Sequence, residues 1–265
     1  MKRLAEAFRS AKKDRRAAFI PYITAGDPAL ETTVELVRGL ARAGADVIEL
    51  GVPFSDPIAD GPTNQRAAER ALASGTTLNG VLAAVEIIRR DLEIPIVLFT
   101  YANPVVRYGV ENFAEDASAA GIDGVLFTDV PAEEMAPFEQ QLSANELDLI
   151  MLVTPTSGRR RMKAAARFGG GFLYLVSTTG VTGARQDLDA ELAANVRTAH
   201  KASKMPVAVG FGISTPEQVA RVAGLADGVV VGSAIVSRIG ALGRCDELVG
   251  EIEAFASDLS KACKK

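Results

Sequence analysis

The chain has 265 residues, of which 48% are hydrophobic and 23% are charged, and its formal net charge is −4. This composition is typical of a globular protein with a large core, and the acidic balance argues against a general nucleic-acid binder. No apolar run is long enough to cross a membrane and the N terminus lacks the apolar segment of a signal peptide, so we expect a cytoplasmic protein.

Short apolar runs recur along the chain at regular intervals. They are continuously apolar rather than alternating, which is typical of strands buried on both faces of a parallel sheet. Eight strands are predicted, at 18–24, 46–51, 94–101, 124–128, 148–153, 171–176, 206–210 and 228–232.

Helical patterns lie between these runs, and a short amphipathic helix is predicted in the first ten residues. The others are predicted at 30–42, 78–90, 110–120, 133–142, 159–168, 190–202, 215–223 and 246–263. Three helix ends resemble one another, because each has a glycine followed by an aspartate and an apolar strand: 43–46, 120–123 and 223–227. We interpret them as a repeated joint between helix and strand.

Eight alternating strands and helices in a chain of this length predict an α/β fold, a single (β/α)8 TIM barrel spanning residues 1–265 with an extra N-terminal helix. Length alone would also allow two small domains. A doubly wound sheet is the alternative, but it normally has fewer strands and a glycine-rich first turn, and residues 25–28 lack that spacing.

One stretch, residues 46–63, combines an apolar strand with acidic residues. Glu49 interrupts the strand, and Asp56 and Asp60 lie in the proline-rich loop that follows. A carboxyl group in such a strand must be paired or hold a proton, so Glu49 and Asp60 are candidates for a general acid/base pair at the catalytic face of the barrel. Alternatively, Glu49 points outward to a cation and Asp60 caps the helix that begins near Thr63.

Glycines follow the last two predicted strands, at 209–212 and 231–234, and the second group opens a short helix at Ser233. Exposed backbone amides at these positions predict a phosphate site, although the glycines could simply form tight turns. The loop at 177–185, rich in glycine and hydroxyl groups, is a candidate to close over a ligand or is only a solvated connection.

The two cysteines, Cys245 and Cys263, and the one histidine, His200, cannot form a zinc cluster or a disulfide framework that the spacing would identify. His200 lies in a polar helical stretch and is expected at the surface. We therefore predict no metal site.

Six motifs together resemble the tryptophan synthase α-subunit family over essentially the whole chain. They are the segments 21–28, 49–62, 101–104, 129–134, 177–183 and 210–213. The resemblance implies retro-aldol cleavage of indole-3-glycerol phosphate to indole and glyceraldehyde 3-phosphate, without a metal or organic cofactor. It also implies that Glu49 donates a proton to indole C3 and then accepts one from the glyceryl hydroxyl, and that Asp60 accepts the indole N–H.

The resemblance implies further site residues by motif. Residues expected to contact the indole and glyceryl parts are Tyr22, Phe99, Leu126, Thr128, Tyr174 and Thr182. Tyr174 is expected to orient Glu49 through its hydroxyl, and Thr182 to help position Asp60. Residues expected to hold the phosphate are Gly183, Phe211, Gly212, Gly232 and Ser233.

The family also implies a partner, a β subunit that carries pyridoxal phosphate and receives indole through a tunnel in an α2β2 tetramer. Residues expected at the interface are Pro53, Asp56, Asn103, Pro104 and Pro131. Coupling between the two sites is expected to run through loop closure at Thr182 and docking on the loop at Asp56.

The chain departs from the family pattern at two positions. Asn64 stands where the family usually has an apolar residue of the indole pocket, and Thr178 stands where many relatives have an arginine. Three alternatives stay open: a lyase that acts without a partner, a phosphate-binding regulator of the β subunit, and another barrel enzyme for a phosphate ligand. The last would usually need a lysine or histidine base at a strand end, and none is found there.

Overall fold

A computed structural model describes residues 2–176, 185–210 and 212–264, with the side chains of 185–189 excepted. Within these residues eight parallel strands form a closed barrel, in which each strand pairs with its neighbours in sequence and the eighth pairs with the first. The strands are β1 (Ala18–Thr24), β2 (Ile48–Gly51), β3 (Ile96–Thr100), β4 (Gly124–Phe127), β5 (Asp148–Val153), β6 (Leu173–Val176), β7 (Val207–Gly210) and β8 (Gly228–Val231). The predicted TIM barrel is confirmed, and the doubly wound sheet is excluded by the pairing of β1 with β8.

Helices surround the barrel and connect successive strands. Those in the first half are α1 (Arg3–Lys13), α2 (Leu30–Arg42), α3 (Pro62–Ala73), α4 (Leu78–Ile88), α5 (Ala102–Tyr108) and α6 (Val110–Ala120). Those in the second half are α7 (Ala136–Ala144), α8 (Gly158–Phe168), α9 (Arg185–Ser203), α10 (Pro216–Ala223), α11 (Ser233–Leu242) and α12 (Leu248–Lys261). Every predicted helix is present, with ends that differ by a few residues.

The sequence patterns missed α5, a helix of seven residues that contains Pro104. Proline normally argues against a helix, but Pro104 is the third residue of α5, where its missing N–H would have no partner within the helix. The segment therefore tolerates the proline and begins a helix directly after β3.

The three predicted joints share one interaction at the N-terminal end of the barrel. Asp46, which precedes β2, accepts a hydrogen bond from the backbone N–H of Phe19 in β1 at 2.8 Å. Asp123, before β4, accepts from Ile96 N in β3 at 2.9 Å. Asp227, before β8, likewise accepts from Val207 N in β7 at 2.9 Å. Each carboxylate thus satisfies a backbone donor at the start of the preceding strand, where the sheet ladder supplies no acceptor.

The N-terminal helix α1 closes the lower end of the barrel. Leu4 and Phe8 are buried in the cluster of side chains that fills the barrel interior. The ring of Phe8 packs against that of Phe172 with 5.3 Å between centroids. The N-terminal end of the barrel interior is therefore filled by a packed core.

No single helix within 2–176, 185–210 and 212–264 has the length and apolar composition to cross a membrane. Only α3 and α4 taken together meet that criterion, and a bend of 92° separates them. That residues 1–265 form one domain remains a prediction.

Candidate active site

A cavity of about 290 Å³ opens at the C-terminal ends of the strands. This is the end at which barrel enzymes carry their catalytic groups. Its walls combine aromatic rings, one carboxyl group and a glycine-rich rim, formed by Tyr22, Glu49, Gly61, Pro62, Thr63, Asn64, Phe99, Tyr174, Gly212, Ile213, Val230, Gly232 and Ser233. Seven of these were predicted site residues, so the barrel brings most of the predicted site together.

Glu49 projects into this cavity from β2 and is fully buried. Neither of its carboxyl oxygens has a hydrogen-bond partner among the described residues. Burial raises the pKa of Glu49 from 4.5 to about 8, because the anion loses its hydration and gains no cation in exchange. Glu49 therefore holds a proton at neutral pH, and the alternative in which it faces outward to a cation is wrong.

Asp60 lies in the loop after β2, half-buried beside the cavity. Tyr101, the residue after β3, donates its hydroxyl hydrogen to Asp60 Oδ2 at 2.8 Å, and the Tyr101 hydroxyl oxygen accepts a hydrogen bond from Ala59 N at 3.0 Å. Burial raises the pKa of Asp60, whereas hydrogen bonds from Tyr101 and Asn64 oppose that rise. Asp60 is thus held by two donors that favour its ionised form.

Asp60 does not cap the helix that follows it. The N-cap residue of α3 is Gly61, and no side chain there accepts a hydrogen bond from the first turn. Pro62 occupies the first helical position, which needs no donor. The capping alternative for Asp60 is therefore wrong, and the carboxylate instead accepts a hydrogen bond from Tyr101.

Two tyrosines line the cavity from β1 and β6. The ring of Tyr22 packs edge-on against Phe99, with 5.2 Å between centroids, and its hydroxyl lies 3.3 Å from Thr24 Oγ1. A Cβ on Gly51 would lie 2.2 Å from the Tyr22 hydroxyl oxygen. The Tyr22 ring therefore fits against the end of β2 because Gly51 has no side chain there.

Tyr174, three strands away around the barrel, shows the same arrangement, because a Cβ on Gly210 would lie 2.2 Å from its hydroxyl oxygen. Burial raises the pKa of Tyr174 well above its usual value, so its hydroxyl stays protonated. The expected hydrogen bond from this hydroxyl to Glu49 is not formed, since both Glu49 oxygens lack a partner. Tyr174 lines the cavity without orienting Glu49 in this structure.

Leu126 and Thr128 lie deeper or to one side. Leu126 is fully buried in the barrel interior with Tyr22 and Phe99, and Thr128 directs its hydroxyl to the carbonyl of Thr100 at 3.3 Å. Neither residue lines the cavity. Their predicted contact with a ligand stays a prediction.

The predicted phosphate residues Gly212, Gly232 and Ser233 all line the cavity. Gly212 has a φ of +73°, a left-handed conformation that favours glycine. Gly232 precedes α11 and Ser233 is its first residue, so the N terminus of a ten-residue helix opens at the rim. Three other predicted site residues, Thr182, Gly183 and Phe211, lie outside the described residues, as does Thr178.

The five residues predicted at a partner interface lie in the segments that follow β2, β3 and β4. Asp56, Asn103 and Pro131 are exposed and Pro104 is half-buried, whereas Pro53 is buried within the chain. Pro53 therefore presents no free surface in this conformation, and a contact in this segment must come from the residues that follow it.

Sequence reasoning missed Tyr101 as a functional residue and named Asn64 only as a departure. The available signals were the hydroxyl of Tyr101, directly after β3, and the amide of Asn64, in the first turn of α3. Their partner, Asp60, could not be identified from spacing. In the described part of the chain, no group of three or more His, Cys, Asp and Glu side chains could hold a metal ion. His200 lies 3.0 Å from Asp227 at the opposite end of the barrel.

Comparison with known proteins identifies close relatives of the whole chain. Residues 8–264 match the family model described as "Tryptophan synthase alpha chain". The chain is 51% identical over 262 residues to the tryptophan synthase alpha chain of Geobacter sulfurreducens, covering 99% of each chain. It is 51% identical over 236 residues to that of Geotalea daltonii, covering 89% of each.

Solved structures agree with this relation. Tryptophan synthase subunit alpha from Legionella pneumophila superposes with a TM-score of 0.91 at 38% identity, covering 99% of this chain and 98% of that one. A chain of Mycobacterium tuberculosis tryptophan synthase superposes with a TM-score of 0.88 at 37% identity, covering 100% of this chain and 99% of the other.

Proposed function

Because the chain belongs to the tryptophan synthase alpha chain family, we propose that Glu49 and Asp60 are the groups through which it performs the α reaction of tryptophan biosynthesis. That reaction is the retro-aldol cleavage of indole-3-glycerol phosphate to indole and glyceraldehyde 3-phosphate, and the chain is a lyase. The observation that carries the proposal is Glu49, a buried carboxyl group without a partner at the wall of the cavity.

Glu49 acts first as an acid and then as a base. Its pKa of about 8 keeps it protonated at neutral pH, so it can protonate C3 of the ring, and the ring nitrogen supplies the electron pair that forms the cation. The resulting carboxylate then accepts the proton of the glyceryl hydroxyl. As the O–H electrons form the carbonyl, the carbon–carbon bond breaks and its electron pair returns to the ring, which leaves Glu49 protonated again.

Asp60 supplies the negative charge that this scheme needs. As an anion it accepts a hydrogen bond from the ring N–H, and that bond strengthens when the nitrogen becomes positive. The donors Tyr101 and Asn64 support this role because both lower the pKa of Asp60 against the effect of burial. Proton transfers alone complete the reaction, so the proposal requires no metal or organic cofactor in this chain.

The phosphate group is proposed to bind at the glycine-rich rim. Gly212, Gly232 and Ser233 line the cavity, and the N terminus of α11 offers backbone N–H groups and a favourable dipole for an anion. Gly183 and Phe211 are proposed to complete this site. Tyr22, Phe99, Leu126, Thr128 and Tyr174 are proposed to surround the ring and glyceryl parts, and Thr182 to close over them.

A β subunit is the proposed partner, with pyridoxal phosphate bound there and an α2β2 assembly. Two large apolar side chains in the expected docking segments support a partner surface: Ile58 is 86% exposed and Val106 is 58% exposed. They lie in the segments of Asp56 and Asn103, and water contact with such side chains is unfavourable. This observation favours a partnered lyase over one that acts alone.

The test measures indole released from indole-3-glycerol phosphate by the purified chain and by Glu49→Gln. Glutamine keeps the size and neutrality of protonated Glu49 but cannot transfer its proton, so we expect kcat to fall by at least about 10²–10⁴ while the dissociation constant of a non-cleavable analogue stays within a few-fold. Glu251→Gln, on the exposed face of α12, is the matched control and should behave as wild type. Strong residual cleavage by Glu49→Gln would refute the role of Glu49.

The partner is tested by adding a β subunit to the same assay. Stimulation of indole release, together with a mass in light scattering that corresponds to α2β2, is expected. Fast release that ignores the β subunit would indicate a lyase that acts alone.

A further inference from the structure

Asn64 combines two properties that ordinary packing does not require. It is the third residue of α3 and lines the cavity, yet its side-chain oxygen Oδ1 is out of contact with solvent and accepts no hydrogen bond from a described residue. Among the described side chains, the only buried polar atoms in this condition are Asn64 Oδ1 and the two carboxyl oxygens of Glu49. Both residues line the same cavity. A buried polar atom without a partner needs an explanation, and here a bound ligand can supply the missing hydrogen bond.

The orientation of the Asn64 amide follows from its neighbour. A hydrogen bond from Asn64 lowers the pKa of Asp60, so the group of Asn64 that faces Asp60 is the Nδ2 donor. The Oδ1 acceptor of the same amide then points away from Asp60. Tyr101 donates its hydroxyl hydrogen to Asp60 and not to Asn64. Asn64 Oδ1 is therefore left as an acceptor without a donor.

At the ring end of the site, the unsubstituted substrate leaves no donor for this acceptor. In the proposed function, on which this inference rests, the ring N–H binds Asp60, the cleaved glyceryl hydroxyl faces Glu49 and the phosphate lies at Gly212, Gly232 and Ser233. The second glyceryl hydroxyl is on the carbon between the cleaved carbon and the phosphate-bearing carbon, and therefore lies away from the ring. Asn64 sits beside Asp60, at the ring end of the site. A donor for Oδ1 must therefore be attached to the carbocyclic part of the ring.

We propose that Asn64 is a specificity-determining residue whose carbonyl oxygen accepts a hydrogen bond from a substituent on the indole ring, so that the site favours indole-glycerol phosphates that carry a ring hydroxyl or amino group. A buried acceptor without a donor raises the free energy of the complex, and a ligand donor removes that cost. A methyl group at the same ring position has similar size and cannot remove it.

The experiment compares indole-3-glycerol phosphates with a hydroxyl or a methyl group at each free carbon of the carbocyclic ring. Wild type and Asn64→Leu are assayed for kcat/KM on each pair. For at least one ring position, wild type should prefer hydroxyl over methyl by about tenfold, which is the ratio that one buried hydrogen bond supports. Asn64→Leu should lose or invert that preference, because leucine fills the space without an acceptor.

Asn64→Ala repeats the measurement in case leucine disturbs folding, since alanine favours the helix and cannot overpack the site. A preference that survives in both variants, or that is absent from wild type at every ring position, would overturn the inference.

A second readout separates this inference from the proposed function. Calorimetric dissociation constants for hydroxyindole and methylindole report on Asn64 without any cleavage. If wild type fails to cleave unsubstituted indole-3-glycerol phosphate, the proposed function fails. If it cleaves this substrate but neither kcat/KM nor the dissociation constants distinguish hydroxyl from methyl, only the role of Asn64 fails.

Discussion

At the scale of single residues, Glu49 connects the proposed chemistry to the stability of the chain. A fully buried carboxyl group without a donor is stable only while it is protonated. The arrangement that makes Glu49 a proton donor at neutral pH therefore also makes the folded state sensitive to pH. A surface glutamate would have neither property.

The first prediction concerns the pH dependence of unfolding. The pKa of Glu49 is about 8 in the folded chain against an ordinary value of 4.5, so between these values the folded state retains a proton that the unfolded state releases. The contribution of Glu49 to the free energy of unfolding is therefore intact below pH 4.5 and declines as the pH rises towards about 8. Glu49→Gln should remove this decline and become more stable than wild type by on the order of 5 kcal/mol above pH 8.

Urea unfolding of both proteins across this pH range is the measurement, with Glu251→Gln as the surface control. Parallel curves for wild type and Glu49→Gln would show that the folded chain does not hold the Glu49 proton.

The second prediction concerns Tyr101, which holds Asp60. Tyr101→Phe removes the donor to Asp60 Oδ2 and with it an effect that lowers the Asp60 pKa. We expect kcat/KM to fall about tenfold, as for a lost hydrogen bond to a charged group, and the acidic limb of its pH profile to move to higher pH. Tyr108→Phe, which removes a hydroxyl bound to the exposed Asp116, should change neither quantity. A loss of activity without movement of the acidic limb would mean that Tyr101 serves only packing.

At the scale of elements, an ion pair ties the loop after β1 to the helix that carries Asn64. Arg70 in α3 donates two hydrogen bonds to Asp27, from Nε at 2.8 Å and from Nη2 at 2.7 Å. Ser74 extends the contact by donating to the carbonyl of Gly26 at 3.0 Å. Two cavity walls, one from β1 and one from the first turn of α3, are thereby held in one arrangement.

The third prediction is that Arg70→Met destabilises the chain by roughly 2–4 kcal/mol, because it leaves the Asp27 carboxylate, with 2% of its side chain exposed, without its cation. This expected loss is somewhat smaller than the roughly 3–5 kcal/mol that is typical of a broken, fully buried ion pair, because 37% of the Arg70 side chain is exposed to solvent. The double variant Asp27→Asn with Arg70→Met should recover part of the loss, because no charge then remains buried.

Urea unfolding measures both variants, and Arg38→Met is the control. Arg38 also forms a bidentate ion pair, with the carboxylate of Asp91. This pair lies on the surface, so its loss should reduce the free energy of unfolding less. Equal losses for Arg70→Met and Arg38→Met would contradict the special role of the buried partner.

At the scale of the whole molecule, the barrel separates stability from chemistry along its axis. The N-terminal end is closed by α1 and by the aspartate joints at Asp46, Asp123 and Asp227. The C-terminal end holds the cavity, Glu49 and the glycine-rich rim. Changes at the lower end should thus alter unfolding far more than catalysis.

The fourth prediction tests this separation with Phe8→Ala. Phe8 is 5% exposed and packs on Phe172, so its removal leaves a cavity under the barrel and should cost about 3–5 kcal/mol in the free energy of unfolding. Because Phe8 lies at the opposite end from the site, kcat/KM measured under folded conditions should change little. Phe255→Ala, at a half-buried ring on α12, should cost less. A large fall in kcat/KM for Phe8→Ala would show that the two ends are coupled.

The sequence by itself determined the architecture and singled out the two carboxyl groups that we propose to be catalytic. Continuous apolar runs and amphipathic helices are local patterns, and eight of each in turn leave few folds other than a closed parallel barrel. Glu49 could be singled out because one carboxyl group interrupts an otherwise apolar strand. Strand ends were less well predicted. Asp46 was predicted to begin the second strand, but β2 begins at Ile48 and the Asp46 carboxylate accepts a hydrogen bond from Phe19 N in β1.

Only the tertiary structure decided which side chains meet. Tyr101 reaches Asp60 across 41 positions of sequence, and the joints connect residues 20 to 27 positions apart. Hydrophobic periodicity specifies which face of an element is buried, but the partner on that face depends on the register and closure of the barrel. The unpaired oxygens of Glu49 and Asn64, the burial of Pro53 and the plug formed by α1 all follow from that closure, and no local pattern in the sequence contains them.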